Sequence, residues 1–286
     1  MFADAHAHSN PVRGVGARAI AKKFKKAGGW FIALVMLPAW DYQVKLSSLN
    51  DYKKALEMHL RECASVSDEG LEVACFAGLH PAEIDHLINA GKSPKEVIEL
   101  SKSIVDYLAK KFDEGLIDGV GEIGRPHYKT SPESVLATQE VLEYTLHLSK
   151  DHGFPLQLHL ENKRGFTAWN INSLVRKIGV PKDNILVHHA RPGVLEEVAE
   201  TMLWATVPGI EKCLRTAFEK LDREQLDRVM IESDFIDDPR RPGVVAYPWS
   251  LVEAEKKLLR ENVINEEILE RINIDNIKRF FKTRTP

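Results

Sequence analysis

The chain has 286 residues, 44% of them hydrophobic, and 39 basic against 42 acidic side chains give a net charge of -3. That length and apolar content suffice to fill one large α/β barrel. The near-neutral balance excludes a global basic field for nucleic acid or anionic membrane, so any polyanion contact must come from a local patch.

Short apolar runs alternate with charged segments along the whole chain. The first run is "FADAHAH" (2–8), followed by "WFIALVML" (30–37), "LEVACFAGLH" (71–80) and "GVGEIG" (119–124). The second half adds "PLQLHL" (155–160), "ILVHHA" (185–190), "WATVPG" (204–209) and "VMIESD" (229–234). Between them, segments such as "GARAIAKKFKKAG" and "SPKEVIELSKSIVDYLAKKFDEG" repeat apolar residues at three and four, the spacing of amphipathic helices. "SPKE" and "SPES" place Ser before Pro at helix starts, and "AGG", "DEG" and "DHG" end helices at glycine. From Trp249 to Phe281 a closing helix and a second one are expected, broken near "NVINEE". Eight alternating units without a linker or repeat predict one α/β domain over 1–286, a single (β/α)8 TIM-type barrel.

No run of about twenty apolar residues is present to span a membrane, and the N-terminus lacks a basic start followed by an apolar signal core. Cys63, Cys75 and Cys213 are odd in number, widely spaced and without a CxxC pair. They argue against a disulfide framework or a thiolate zinc site, and for a reducing, cytoplasmic setting.

In such a barrel the active site gathers at the C-terminal strand ends. Those ends carry His6 and His8, His80, Glu122, His159, His188 and His189, and Asp234. Residues two apart in a strand share a face, so His6 and His8 form a chelating pair. Each residue alone has a bland reading: "HAH" as a half-buried strand with two polar positions, or the His of "LQLHL" as a hydrogen-bonded core residue. Together, imidazoles and carboxylates converging on one mouth want cations, because buried unpaired carboxylates are costly.

The succession "DAHAH", "GLHP", "GVGEIG", "LQLHL", "HARPG" and "IESD" resembles the TatD-related branch of the metal-dependent amidohydrolase superfamily over most of the chain. The resemblance implies one or two divalent ions at the mouth of a TIM-type barrel. It makes His6 and His8 ligands of the first metal, Glu122 a ligand able to bridge, His159 and His189 ligands of the second, and Asp234 a ligand of the first metal and its activated water. His189 is chosen over His188 because the family places a glycine four residues after the ligand, and Gly193 fits His189. His188 is then expected to point the other way. Relatives often follow "GEIG" with an acidic and aromatic pair, whereas this chain reads "GEIGRPHY", which bears on substrate choice.

The ligand set implies hydrolysis by metal-activated water, with Asp234 and Glu122 as the catalytic carboxylates. His and carboxylate donors suit Zn, Mn, Mg, Ni or Co. Arg13, Arg125, Lys129, Lys163, Arg164, Arg191, Arg240 and Arg241 follow the strand ends and favour an anionic partner, either a small molecule or a nucleic-acid end, though solvated loop charges are an equal reading for each. His80, Arg125, His127 and Arg191 are the substrate-binding candidates. Trp169, Trp204 and Trp249 are expected to pack in the core or between helices. A phosphodiesterase or deoxyribonuclease-like hydrolase is the first reading. An amidohydrolase cutting a C–N or ester bond and a non-catalytic metal-binding barrel stay open, as does the oligomeric state.

Overall fold

All eight apolar runs become strands of one parallel sheet in sequential order, β1 (Phe2–Ala7), β2 (Gly29–Val35), β3 (Glu72–Ala77), β4 (Gly119–Gly124), β5 (Leu156–His159), β6 (Ile185–Val187), β7 (Trp204–Pro208) and β8 (Val229–Glu232). The computed structural model describes residues 1–241 and 246–283. An Ala7–Phe235 bridge and the His8 N–H donated to the Phe235 carbonyl (2.9 Å) join the first strand to the end of the eighth, closing a (β/α)8 barrel.

The connections are α1 (Ala17–Ala27), α2 (Leu49–Asp68), α3 (Pro81–Asn89), α4 (Pro94–Asp113), α5 (Pro132–His152), α6 (Thr167–Ile178), α7 (Pro192–Thr201) and α8 (Glu211–Lys220). Ser93 and Ser131 cap α4 and α5 ahead of Pro94 and Pro132, as their sequence demands. After β8 come α9 (Pro248–Arg260), α10 (Glu266–Glu270) and α11 (Asn276–Phe281). The expected second C-terminal helix is present from residue 266 but contains a π-helical turn at Arg271–Asp275. Asn273 in that turn accepts the Ala3 N–H (2.8 Å) and donates to Glu255 (2.5 Å), tying the turn to the start of β1.

Two apolar layers follow from strands buried on both faces. The larger lies where the helices pack on the sheet. The smaller joins Phe31, Phe76, Trp204 and Met230 to Phe280 and Phe281 of α11, which covers the N-terminal end of the strands. The opposite end is left to the polar residues. No described helix is long and apolar enough to cross a membrane.

The cysteine reading is corrected: Cys63 on α2 and Cys75 on β3 form a disulfide, and Cys213 is free. The crossover from α2 to β3 brings the two onto facing surfaces although they match no motif. The pairing removes the ground for inferring a reducing compartment from cysteine spacing.

Candidate metal centre

Two residues on β1 and its end, His6 and His8, bring their Nε2 atoms within 3.1 Å of each other. Each is also 3.2 Å from Glu122 Oε1. Hydrogen bonds on the far side of the rings fix the tautomers. His6 Nδ1 is 2.6 Å from the Gln157 side-chain oxygen, and His8 Nδ1 is 2.9 Å from the Val35 carbonyl. An oxygen partner requires Nδ1–H, so a neutral ring turns its Nε2 lone pair inward. Two lone pairs and a carboxylate oxygen then face one another, and only a positive charge between them relieves the repulsion. Asp234 Oδ1 completes the group, 3.7 Å from His8 Nε2 and 4.0 Å from His6 Nε2. The demand for charge shows in His8: although burial opposes it, Asp234 and Glu122 push its pKa up to about 10. These four donors fit a divalent ion.

A second set surrounds the other oxygen of Glu122. His159 Nδ1 lies 2.6 Å from Glu122 Oε2, and His188 Nε2 lies 3.4 Å from it and 3.1 Å from His159 Nδ1. His188 Nδ1 faces Glu232 Oε2 at 3.5 Å, and Glu232 is held by the Thr206 hydroxyl at 2.6 Å. A carboxylate behind a histidine whose other nitrogen faces the centre is the outer support that metal-ligating histidines use. Against its burial, His188, His80 and His159 hold Glu122 well below the usual carboxylate range, so it serves as an anion to both sets.

Close backbone approach explains why Glu122 can stand there. A Cβ on Gly78 would meet the Glu122 carbonyl at 2.3 Å, and one on Gly124, whose φ is 150°, would meet the His159 carbonyl at 2.0 Å. The glycines of "GLHP" and "GVGEIG" thus let β3, β4 and β5 draw together under the site. Asp234 and His189 both have left-handed φ values, 47° and 45°, unusual for residues with a side chain and typical of strained functional positions.

Several expectations change here. His188 does not point away: it shares a face with Leu186, one of the residues in the smaller core, and its ring stacks on His6 at 4.2 Å. His189 lies past the end of β6 and stands with His127 and His159 in a further group of ring nitrogens, all within 4.8 Å of one another, that could hold a metal. Its Nδ1 contacts the Asn162 amide nitrogen at 3.1 Å, and its Nε2 is buried with no hydrogen-bond partner. His80 faces Glu122 Oε2 at 3.1 Å and its Nδ1 accepts the Ala82 N–H, so it is an N–H donor to Glu122 instead of an open substrate contact. Arg125 is committed to both oxygens of Glu161 (3.0 and 2.7 Å) and to Asn170 (2.5 Å), which withdraws it from anion binding. His127 Nδ1 lies 2.7 Å from His159 Nε2. Arg240 and Arg241 pair with Asp238.

Lys129, Lys163, Arg164 and Arg191 remain exposed and have no ion pair among the described residues. Trp204 is buried and Trp249 half-buried against Tyr247, but Trp169 is 46% exposed, so the packing expectation fails for it. Sequence reading also passed over Gln157, Glu232 and Asn162. The period of two would have found the first, since Gln157 shares a face with His159.

The family model described as "TatD related DNase" matches residues 3–282. "Uncharacterized protein MJ1127" of Methanocaldococcus jannaschii is 29% identical over 284 residues, covering 97% of this chain and 94% of that one. The TatD-like protein of Archaeoglobus fulgidus shares the fold with a TM-score of 0.66 and 20% identity, covering 99% of this chain and all (100%) of that one. YJJV, a TatD homolog from Escherichia coli K12, does so with a TM-score of 0.67 and 17% identity, covering 99% and 98%. A mutant organophosphorus hydrolase from Deinococcus radiodurans gives 0.65 and 14%, covering 98% and 92%. Matched along nearly its whole length, and with a mouth built to hold cations, the chain belongs to the TatD-related DNase family and is a metal-dependent hydrolase.

Proposed function

We propose that the chain hydrolyses phosphodiester bonds in nucleic-acid ends or small nucleotides. His6, His8, Glu122 and Asp234 would hold a first divalent ion, and Glu122, His159 and His188 a second. Four imidazoles in this donor set favour Zn, Mn, Co or Ni over Mg. Bound ions supply Lewis acidity and a more acidic water. The chain's own part is orientation and proton transfer. Gln157 and the Val35 carbonyl aim His6 and His8, and Glu232 lies 3.5 Å behind His188 Nδ1 as a negative charge. Asp234, held down to about 2 against burial by His8, His188 and His6, is ionised at neutral pH. It can take a proton from the attacking water and return it to the leaving oxygen.

The observation that carries the phosphodiester reading is the rim. Lys129, Lys163, Arg164 and Arg191 follow β4, β5 and β6, the strands of the second set, and are free of ion pairs among the described residues. Unneutralised cations beside a metal centre favour a substrate with anionic oxygens.

The test pairs elemental analysis with hydrolysis of bis-p-nitrophenyl phosphate and an end-labelled DNA strand, before and after chelation. Activity lost on chelation and restored by Mn, Zn or Co is expected. Metal-loaded protein that leaves both substrates intact but opens amides or lactones would replace this reading.

A further inference from the structure

Away from the mouth, one group of soft donors sits in the layer where the helices pack on the sheet. His59 and Cys63 lie one turn apart on α2, Cys75 faces them from β3, and all three are buried. Both cysteines belong to the larger apolar core with Leu56 and Val66. One nitrogen or sulfur from each of the three residues lies within 4.8 Å of the others.

His59 is weakly served there. Its Nδ1 is 3.3 Å from the Tyr42 hydroxyl and its Nε2 is 3.5 Å from Cys63 Sγ, both at the long end of hydrogen bonding. Burial keeps the ring neutral by pushing its pKa down to about 3, so one of its nitrogens carries a lone pair. A sulfur in a disulfide has no proton to offer that lone pair. Opening the Cys63–Cys75 bond changes the chemistry. A thiol reductant, itself oxidised to a disulfide, supplies two electrons; the S–S bond breaks and two protons complete the thiols. A divalent ion then displaces both protons and binds two thiolates. Ion, thiolates and neutral imidazole sum to zero charge, which an apolar layer tolerates far better than an unpaired charge.

The spacing agrees. With Zn–S near 2.3 Å and Zn–N near 2.1 Å, sulfur and nitrogen in a tetrahedral site stand about 3.6 Å apart. Cys63 Sγ and His59 Nε2 are 3.5 Å apart. The cysteine Cα atoms, 5.8 Å apart, leave the freed sulfurs room to separate by rotation about their Cα–Cβ bonds.

We propose that the reduced chain holds a thiophilic divalent ion, zinc by its chemistry, on His59, Cys63 and Cys75, at a site separate from the mouth and closed whenever the two sulfurs are joined. Thiolates select such an ion over the hard cations that carboxylates take. Three protein donors leave a fourth tetrahedral position for a small ligand. The lack of a CxxC pair does not forbid the site, because residues four apart on a helix share a face and β3 supplies the third donor.

The test uses the full chain carrying Cys213→Ser, which removes the remaining thiol, with cadmium as the probe. A water-soluble phosphine, which leaves as its oxide, reduces the disulfide under argon. The ultraviolet thiolate-to-cadmium charge-transfer band should then grow to about one equivalent and be missing from the unreduced protein. Cadmium at the mouth adds nothing to this band, since the donors there are nitrogen and oxygen. Cys63→Ser should lose the two-thiolate band. His59→Phe should weaken cadmium binding at least about a hundredfold, beyond the cost of losing an outer partner, and His59→Cys, which restores a soft donor, should recover part of that loss. No band in the reduced protein, an undiminished band in Cys63→Ser, or unchanged affinity in His59→Phe would each overturn the site. Loss of the folded circular dichroism spectrum on reduction would overturn it too. The reduced protein and Cys63→Ser decide the matter even if His59→Phe fails to fold.

Discussion

Gln157 decides which nitrogen of His6 faces the mouth, because its oxygen sits 2.6 Å from His6 Nδ1 while its own NH2 reaches the Ala5 carbonyl at 3.4 Å. Gln157→Leu keeps the side chain's bulk but frees the tautomer. It should weaken metal binding about tenfold to a hundredfold with the fold retained, the usual cost of losing an outer partner, as checked by metal titration and circular dichroism. His188→Ala should cost one metal equivalent in elemental analysis. An unchanged metal content would return the second ligand on this strand to another residue. The candidate donors that the barrel gathers were legible because each interrupts an apolar run with a group that water-free surroundings penalise. Their partners were not, because Gln157 and Glu232 look like ordinary polar strand positions until the barrel brings β1, β5, β6 and β8 together. Spacing to Gly193 points to His189, whereas the structure brings His188 Nε2 to Glu122 and His159 and sets His189 beside His127 and His159, a difference that spacing alone does not encode.

At the level of elements, β4 and β5 approach so closely at Gly124 that no side chain fits. Gly124→Ala forces a carbon toward the His159 carbonyl at 2.0 Å in a left-handed conformation. Thermal unfolding should show a loss on the order of 3 kcal/mol, typical of overpacking combined with backbone strain. Ser131→Ala removes the oxygen that accepts the Ser134 N–H at 3.1 Å and should cost about 1 kcal/mol of stability. All eight strands could be read from the sequence, since a parallel strand buried on both faces must be almost wholly apolar, and punctuation by Ser-Pro and Gly marked the helices between them. The π-helical turn was not legible, because the contacts of Asn273 within it, to Ala3 270 residues away and to Glu255 on α9, belong to the folded barrel. The Cys63–Cys75 pair escaped notice for the same reason: its proximity belongs to α2 packing on β3.

The molecule as a whole carries a pH dependence away from the mouth. Glu255, fully buried near the covered end, is pushed up to about 8 by burial, with Asn273 only partly offsetting it. A carboxyl whose folded pKa exceeds its unfolded value of 4.5 gives its full stabilisation below that value and loses it as pH rises through about 8. Glu255→Gln removes this loss, so its melting temperature should match the wild type near pH 5 and exceed it by on the order of 5 °C at pH 8. Divalent ions act at the other end: at about a hundred times the dissociation constant they should add about 2.7 kcal/mol, and chelation should lower the melting temperature accordingly. The seam that closes the barrel is the place where this happens. His8 donates its N–H to the Phe235 carbonyl and Asp234 donates its N–H to the His6 carbonyl, both at 2.9 Å, so an ion held by His6, His8, Glu122 and Asp234 would join the two halves of the seam. His6 and His8 stand 228 and 226 residues ahead of Asp234, so the two sides of the seam come from widely separated parts of the chain. An ion held by all four donors would therefore report that the eighth strand has joined the first, a readout of barrel closure as well as a reagent.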